Sequence, residues 1–197
     1  IEFLLTSVRD GEVETGGRVW LVVMGESDQP GALPDWFKGT AAEADGVYLC
    51  EPRGIGRTRW TRKNPANYVE RSHALLGRTV DTGRVWDIAA AARFIRGRAG
   101  AKSDIQVAGH GAAGVLGAYA ALFEPEIAGV VLVEPPASHM TPGAPQFLSV
   151  LRICDIADVL GMLAPRPLLL RQAPEATAGK TLAIYEAAGA KGGLKVD

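Results

Sequence analysis

The stretch Ile105-Gln-Val-Ala-Gly109-His110-Gly111-Ala112-Ala113-Gly114 decides how this chain folds. Ile105 to Ala108 is a short apolar, β-prone run, and Gly114 to Phe123 is a helix-prone one. Between them lie three glycines in the spacing G-x-G-x-x-G, which lets a strand turn sharply into a helix. Strand, tight turn and helix in that order form half of a β-α-β unit.

The rest of the chain repeats the alternation. Arg18 to Met24 is a continuous β-prone run, as expected of a strand covered on both faces. A turn-rich segment Gly25–Gly31 follows, then a short helical candidate near Pro34 to Ala44 and a strand over Val47 to Cys50. Pro52 to Asn67 is rich in Gly, Arg and Pro and reads as a long loop. Asp81 to Arg98 has helical spacing, with Val85, Ile88, Ala89, Ala92 and Ile95 on one face. A strand over Ala128–Val133 ends at Pro135-Pro136. A helix is expected over Phe147–Leu163, a strand over Pro167–Leu170, a helix over Gly179–Ala188 and a last, truncated strand over Leu194–Val196. Residues Ile1 to Val22 could add an antiparallel hairpin at one edge. The pattern predicts an α/β fold: a doubly wound, mainly parallel sheet with helices on both faces.

Composition bounds the function. At 197 residues, one domain spanning 1–197 is expected. The formal net charge of -1 argues against nucleic-acid or membrane-surface binding, and no run is long enough to cross a bilayer. The chain begins Ile1-Glu-Phe, as a processed or excised piece would. Cys50 and Cys154 have no metal-ligand spacing, no His/Cys/Asp cluster suggests a metal, and no cofactor is expected. Oligomeric state and compartment are not encoded in any motif.

Several stretches together resemble the α/β-hydrolase superfamily, and within it bacterial acetyl-xylan-esterase-like and dienelactone-hydrolase-like proteins. Glu51-Pro-Arg-Gly-Ile-Gly-Arg-Thr58 is similar to their D-x-R-G-x-G-x-[ST] loop. Gly109 to Gly114 sits where their nucleophile elbow G-x-S-x-G sits. Leu163 to Leu170 resembles the segment entering the strand that carries the triad acid, and Tyr185-Glu-Ala-Ala-Gly189 the helix before the final strand. The resemblance runs from about residue 18 to 197. It implies an esterase-like hydrolase, shortened at the C-terminus, acting on a small-molecule ester or an acetylated carbohydrate.

The departures from that pattern set the chemistry. Gly111 stands at the serine position, so no acyl-enzyme can form there, and the pattern's second glycine is Ala113. The triad order Ser…Asp/Glu…His leaves Glu175 as the acid candidate after Leu170, and no histidine follows the last strand. His110, Ser138 and His139 are weaker candidates; neighbouring side chains such as Ser138 and His139 point apart on an extended segment. The loop Gly25-Glu26-Ser27-Asp28 should flank an oxyanion, yet its carboxylates oppose such a charge. The expected pocket is therefore Gly25, Glu26, Gly109, His110, Gly111, Ala112 and Glu134. A weakly active or inactive relative and a non-catalytic, ligand- or partner-binding pseudo-hydrolase both remain open.

A third reading uses the same glycines. Gly109, Gly111 and Gly114 with Glu134 at the end of the next strand match a dinucleotide-binding fingerprint. Two strands precede the motif here, whereas that fingerprint normally follows the first strand of its domain. Elsewhere, Arg53, Arg57, Arg59, Arg62, Lys63 and Trp60 form a basic loop whose arginines are expected to pair with acids such as Glu51 or Glu70. Asp155 and Asp158 are expected on an exposed helix face.

Overall fold

The computed structural model describes residues 2–9, 17–61, 63 and 65–197. The described strands are β1 (Leu4–Arg9), β2 (Arg18–Val23), β3 (Gly46–Glu51), β4 (Asp104–His110), β5 (Ile127–Val133), β6 (Leu168–Arg171) and β7 (Leu194–Val196). They form one sheet in the order β1-β3-β2-β4-β5-β6-β7. All pairings are parallel except β1 with β3. The chain steps outward from β2 to β3, then crosses back to β4 on the other side of β2. Loops leaving β2 and β4 therefore diverge, and that divergence opens a crevice at their C-terminal ends.

Among the described residues, five α-helices accompany the sheet: α1 (Ala66–Leu75), α2 (Val80–Ala99), α3 (Gly111–Phe123), α4 (Ile156–Gly161) and α5 (Glu175–Ala187). Alternation along β2 sorts the core. Val19, Leu21 and Val23 face one layer with Ile88, Ile95, Val115, Leu160 and Tyr185 from the helices. Trp20, Val22 and Met24 face the other, where Phe37 from the 3₁₀ turn Asp35–Phe37 covers them. Each such side chain contributes roughly 1.5–3 kcal/mol by leaving water.

Several expected elements differ. The helix near Pro34–Ala44 shrinks to the turn Asp35–Phe37, with Gly39 at φ 74 soon after it. The helix over Phe147–Leu163 becomes a 3₁₀ turn at Val150–Arg152 and the short α4, because Ser149 is left-handed and Asp155 caps a new start. Asp155 and Asp158 are not an exposed polar face; their side chains and backbone N–H groups exchange hydrogen bonds as a capping box, and Asp158 also pairs with Lys180. Helix α1 falls partly inside the expected loop; it buries no residue, so it carries no core periodicity. Helix α5 begins at Glu175, ahead of the expected Gly179. Strand β1 pairs with β3 rather than forming a hairpin with β2, and residues 10–16, where that hairpin would turn, lie outside the described residues, as does Arg62. Cys50 and Cys154 are both free thiols.

Acids and arginines pin the loop after β3. Buried Glu51 accepts from Arg57 N (2.6 Å), Arg57 Nε (2.8 Å) and Gly31 N (3.2 Å). Arg53 does not pair with Glu51; its guanidinium forks onto Asp87 of α2 at 2.8 and 2.6 Å. Burial alone would raise the Glu51 carboxyl, but the hydrogen bonds and charge of Arg57, with the Gly31 N–H, hold it below the usual range. A depressed carboxyl stabilises the fold above its unfolded pKa of about 4.3 and loses that contribution as pH falls through the folded value. Glu51→Gln is expected to flatten the acid limb of stability below the unfolded pKa of about 4.3. It should also lower neutral-pH stability by about 2 kcal/mol, less than the ~3–5 of a wholly buried pair, because Arg57 stays half in water. Urea midpoints across that range measure both effects.

Candidate functional site

Strand β4 runs straight into α3, and the three glycines do different work there. A Cβ on Gly109 would lie 2.5 Å from Gly114 N, and one on Gly114 would lie 2.6 Å from Gly109 O. Those two positions let backbones touch, which seats the start of the helix on the end of the strand. Gly111 has φ 55, and a Cβ there would meet nothing within 4 Å. It is the conformational glycine, and open space lies above it. No side chain caps the N-terminus of α3, so its first-turn N–H groups are available as donors.

Gly111, Ala112 and Ala113 form the floor of a cavity of about 620 Å³. It sits over the C-terminal ends of β2 and β4, walled by Met24–Ser27, by Pro52 and Ile55, and by the α1–α2 junction. The segment Gly143–Gln146 and Leu148 close another side. Of the expected pocket residues, Gly25, Glu26, His110, Gly111 and Ala112 line this cavity. Gly109 does not, being packed under Gly114, and Glu134 is exposed beside the cavity rather than in its wall.

Around the floor, side chains hold one another in a chain of contacts. Asp28 Oδ2 accepts from Gly25 N (2.7 Å) and Asp28 Oδ1 from Trp36 Nε1 (3.0 Å). The Trp36 indole stacks on the His110 ring, with centroids 6.2 Å apart and planes at 26°. His110 Nε2 lies 3.3 Å from Glu134 Oε2. Glu134 itself adopts φ 49, a left-handed conformation rare for a residue with a side chain.

The opposite wall was not foreseen. Arg84 of α2 donates to Arg53 O (3.1 Å) and Asp81 Oδ1 (3.0 Å), and sits 3.8 Å from Glu26 Oε1. Asp81 Oδ2 also accepts from Gln146 N (2.7 Å), joining α2 to the Gly143–Leu148 wall. Arg71 and Arg78 add exposed cations, and Glu70 an anion. The i, i+3 pair Asp81–Arg84 at the start of α2 was the available signal. In the basic loop, Arg57 pairs with Glu51, whereas Arg59 donates to Glu26 O (2.6 Å).

The remaining candidates lie outside the cavity lining. His139 Nδ1 is 2.8 Å from Pro145 O, which can only accept, so that nitrogen carries the proton and Nε2 accepts from Tyr119 Oη at 2.9 Å. Ser138 Oγ accepts from Met140 N (3.1 Å). Ser138 and His139 therefore share no hydrogen bond. Glu175 is exposed in the first turn of α5. His73 Nδ1 lies 2.8 Å from Val69 O within α1.

By sequence, neither a family model nor a curated protein matches the chain. Solved structures do. A candidate acetyl xylan esterase from Bacteroides fragilis superposes with a TM-score of 0.71 at 14% identity, over 98% of this chain and 61% of that one. TT1662 from Thermus thermophilus gives 0.66 at 18% identity, over 93% and 81%. Esterase 2 from Thermogutta terrifontis gives 0.61 at 13%, over 100% and 78%. This is the α/β-hydrolase fold. At such identities the likeness is one of fold, and the chain spans 61% of the length of the Bacteroides protein.

Within the α/β-hydrolase fold, the two roles of glycine at the turn are separable. Gly111→Ala should cost about 1–2 kcal/mol, the strain of a left-handed side-chain residue. Gly109→Ala should cost about 3 kcal/mol or more, because its methyl meets backbone that cannot move aside. Urea unfolding of the two variants should rank them in that order.

Proposed function

We propose that this chain is a relative of carboxyl-ester hydrolases, a single domain over 1–197, that keeps the ligand cavity and has lost covalent serine chemistry. Gly111 takes the place of the nucleophile in the elbow. The observation that carries this reading is its geometry: φ 55 at a strand-to-helix turn, with open space where a side-chain oxygen would stand. A glycine kept in that conformation holds the turn but supplies nothing to acylate.

Further features support it. Asp28 already takes the Gly25 N–H, so the donor expected for an oxyanion faces a carboxylate instead. Glu175 points from an exposed helix start, not into the cavity lining. The cavity volume lies in the ~300–1,000 Å³ range of small-molecule sites, which suits a small ester or an acetylated carbohydrate as ligand. Fold neighbours include an esterase and the candidate acetyl xylan esterase, which makes ester chemistry the parent class.

Gly111→Ser tests the reading. With p-nitrophenyl acetate, the variant is expected to release a burst of about one p-nitrophenolate per chain and to carry one acetyl group by intact mass. The parent chain should show neither. A burst in the parent would remove the support for a vacated serine position; none in a correctly folded variant would mean that the pocket or the missing base is also limiting.

The dinucleotide reading has the literal glycine spacing in its favour, but Gly109 and Gly114 fill each other's space and Glu134 is engaged with His110. Millimolar NAD or NADP is expected to leave the thermal midpoint unmoved. A rise of several degrees would restore that reading.

A further inference from the structure

We propose that His110, oriented by Glu134, is a general base that drives a cavity water onto a bound ester, so that hydrolysis needs no acyl-enzyme. This rests on the reading of the cavity as an ester site. Of the three histidines, His110 alone lines the cavity, and it is next in sequence to the open space over Gly111. Both ring nitrogens of His139 are taken by Tyr119 and Pro145. His73 is turned onto its own helix.

The geometry gives His110 what a base requires. Glu134 holds Nε2 at 3.3 Å, which leaves Nδ1 without a hydrogen bond among the described residues. One ring face rests on Trp36, and Trp36 is itself fixed by Asp28, so the imidazole is restrained in plane and in rotation. Glu134 reaches the ring from a left-handed backbone conformation, stabilised by its N–H donating to Arg171 O at 2.9 Å. Such a conformation costs about 1–3 kcal/mol and concentrates where a side chain must be aimed. The charged groups on this side are Glu134 just after β5, Glu26 and Asp28 in the loop after β2, Arg84 and Arg59 held on Glu26, and Arg171 of β6, whose carbonyl takes the Glu134 N–H.

The step balances without a co-reactant. Nδ1 removes a proton from water as the water oxygen bonds to the ester carbonyl carbon. The carbonyl π electrons move onto oxygen, and the first-turn N–H groups of α3 are the donors available to that oxyanion. When the carbonyl re-forms, the ester C–O bond breaks, and the imidazolium returns its proton to the departing alkoxide. Ester and water become acid and alcohol. His110 is the catalytic residue and Glu134 a positioning residue.

The experiment compares the parent chain with His110→Gln, Glu134→Gln, Glu134→Asp and His73→Gln, using p-nitrophenyl acetate for turnover and p-nitroacetanilide as the unreactive binding probe. The parent is expected to turn over saturably, without a burst and with an acid limb in its pH–rate profile. His110→Gln should lose the limb and about 10²-fold in kcat, within the range for general-base catalysis, while still binding the anilide. Glu134→Gln should lower kcat about tenfold with KM unchanged, and Glu134→Asp should recover part of it. His73→Gln, which reports adventitious surface imidazole, should match the parent. Anilide binding without turnover above that of free imidazole, or full activity in His110→Gln, overturns the base and leaves the ester-site reading intact. Neither binding nor turnover in the folded parent overturns both.

Discussion

The contact between the backbones of Gly109 and Gly114 is the constraint on which the site depends. It lets α3 start on top of the end of β4 instead of beside it, and the same economy continues along the helix. A Cβ on Gly117 would stand 2.7 Å from Val107 Cγ1, and Ala118 and Ala121 are wholly buried. A helix seated this low needs small residues on its inner face, and the run Gly111-Ala-Ala-Gly-Val-Leu-Gly-Ala supplies them. Its N-terminus is then held at the cavity floor, where its uncapped N–H groups face the space above Gly111. Raising the helix by one methyl at Gly109 would move that floor and lose the packing of Leu132, whose Cγ would lie 3.1 Å from a Cβ on Gly114.

The walls depend on charge pairs rather than on packing. Glu51 with Arg57 and Arg53 with Asp87 each join a loop to a strand or helix at the C-terminal sheet edge, and Asp81, paired with Arg84 of its own helix, also takes the Gln146 N–H of the loop wall. A loop that must border a water-filled cavity cannot bury enough apolar surface to hold itself, so ion pairs anchored on partly or wholly buried carboxylates take over. Forked arginines suit this use because two fixed donors meet two carboxylate oxygens and set direction as well as distance. Gly56, at φ 57 beside the Glu51 carboxylate, shows how tightly the loop closes on its anchor.

How much of this was legible in the sequence follows the range of each interaction. Strands β2, β4 and β5 announced themselves because burial on both faces leaves continuous apolar runs. Helix α2 was visible because Val85, Ile88, Ala92 and Ile95 repeat at helical spacing. Helix α1 was not, since a helix that buries nothing leaves no stripe, and Pro65 just before it was the only start signal. The floor of the site could be read because the turn after β4 and the loop after β2 must meet where the sheet order reverses. The stack of Trp36 on His110, and the reach of Glu134 to that ring, could not. They join distant segments through a 3₁₀ turn and a left-handed residue, and neither has a periodic signature.

The same open space over Gly111 could in principle accept a serine oxygen, a phosphate or a water, and its neighbours decide among them. A phosphate would gain from the N-terminus of α3, but Glu26, Asp28 and Glu134 bring negative charge to that side of the site. The arginines of the opposite wall are partly committed: Arg84 is bound to Asp81 and lies near Glu26. A serine side chain there would carry the strain of a left-handed residue at φ 55. A neutral water beside a neutral ester carries no charge for those acids to oppose, and the charge that appears on reaction is divided favourably. On the proposed mechanism, positive charge would grow on His110 next to Glu134, and negative charge beside the helix N-terminus. The space over Gly111 thus has surroundings that suit an uncharged nucleophile better than either alternative.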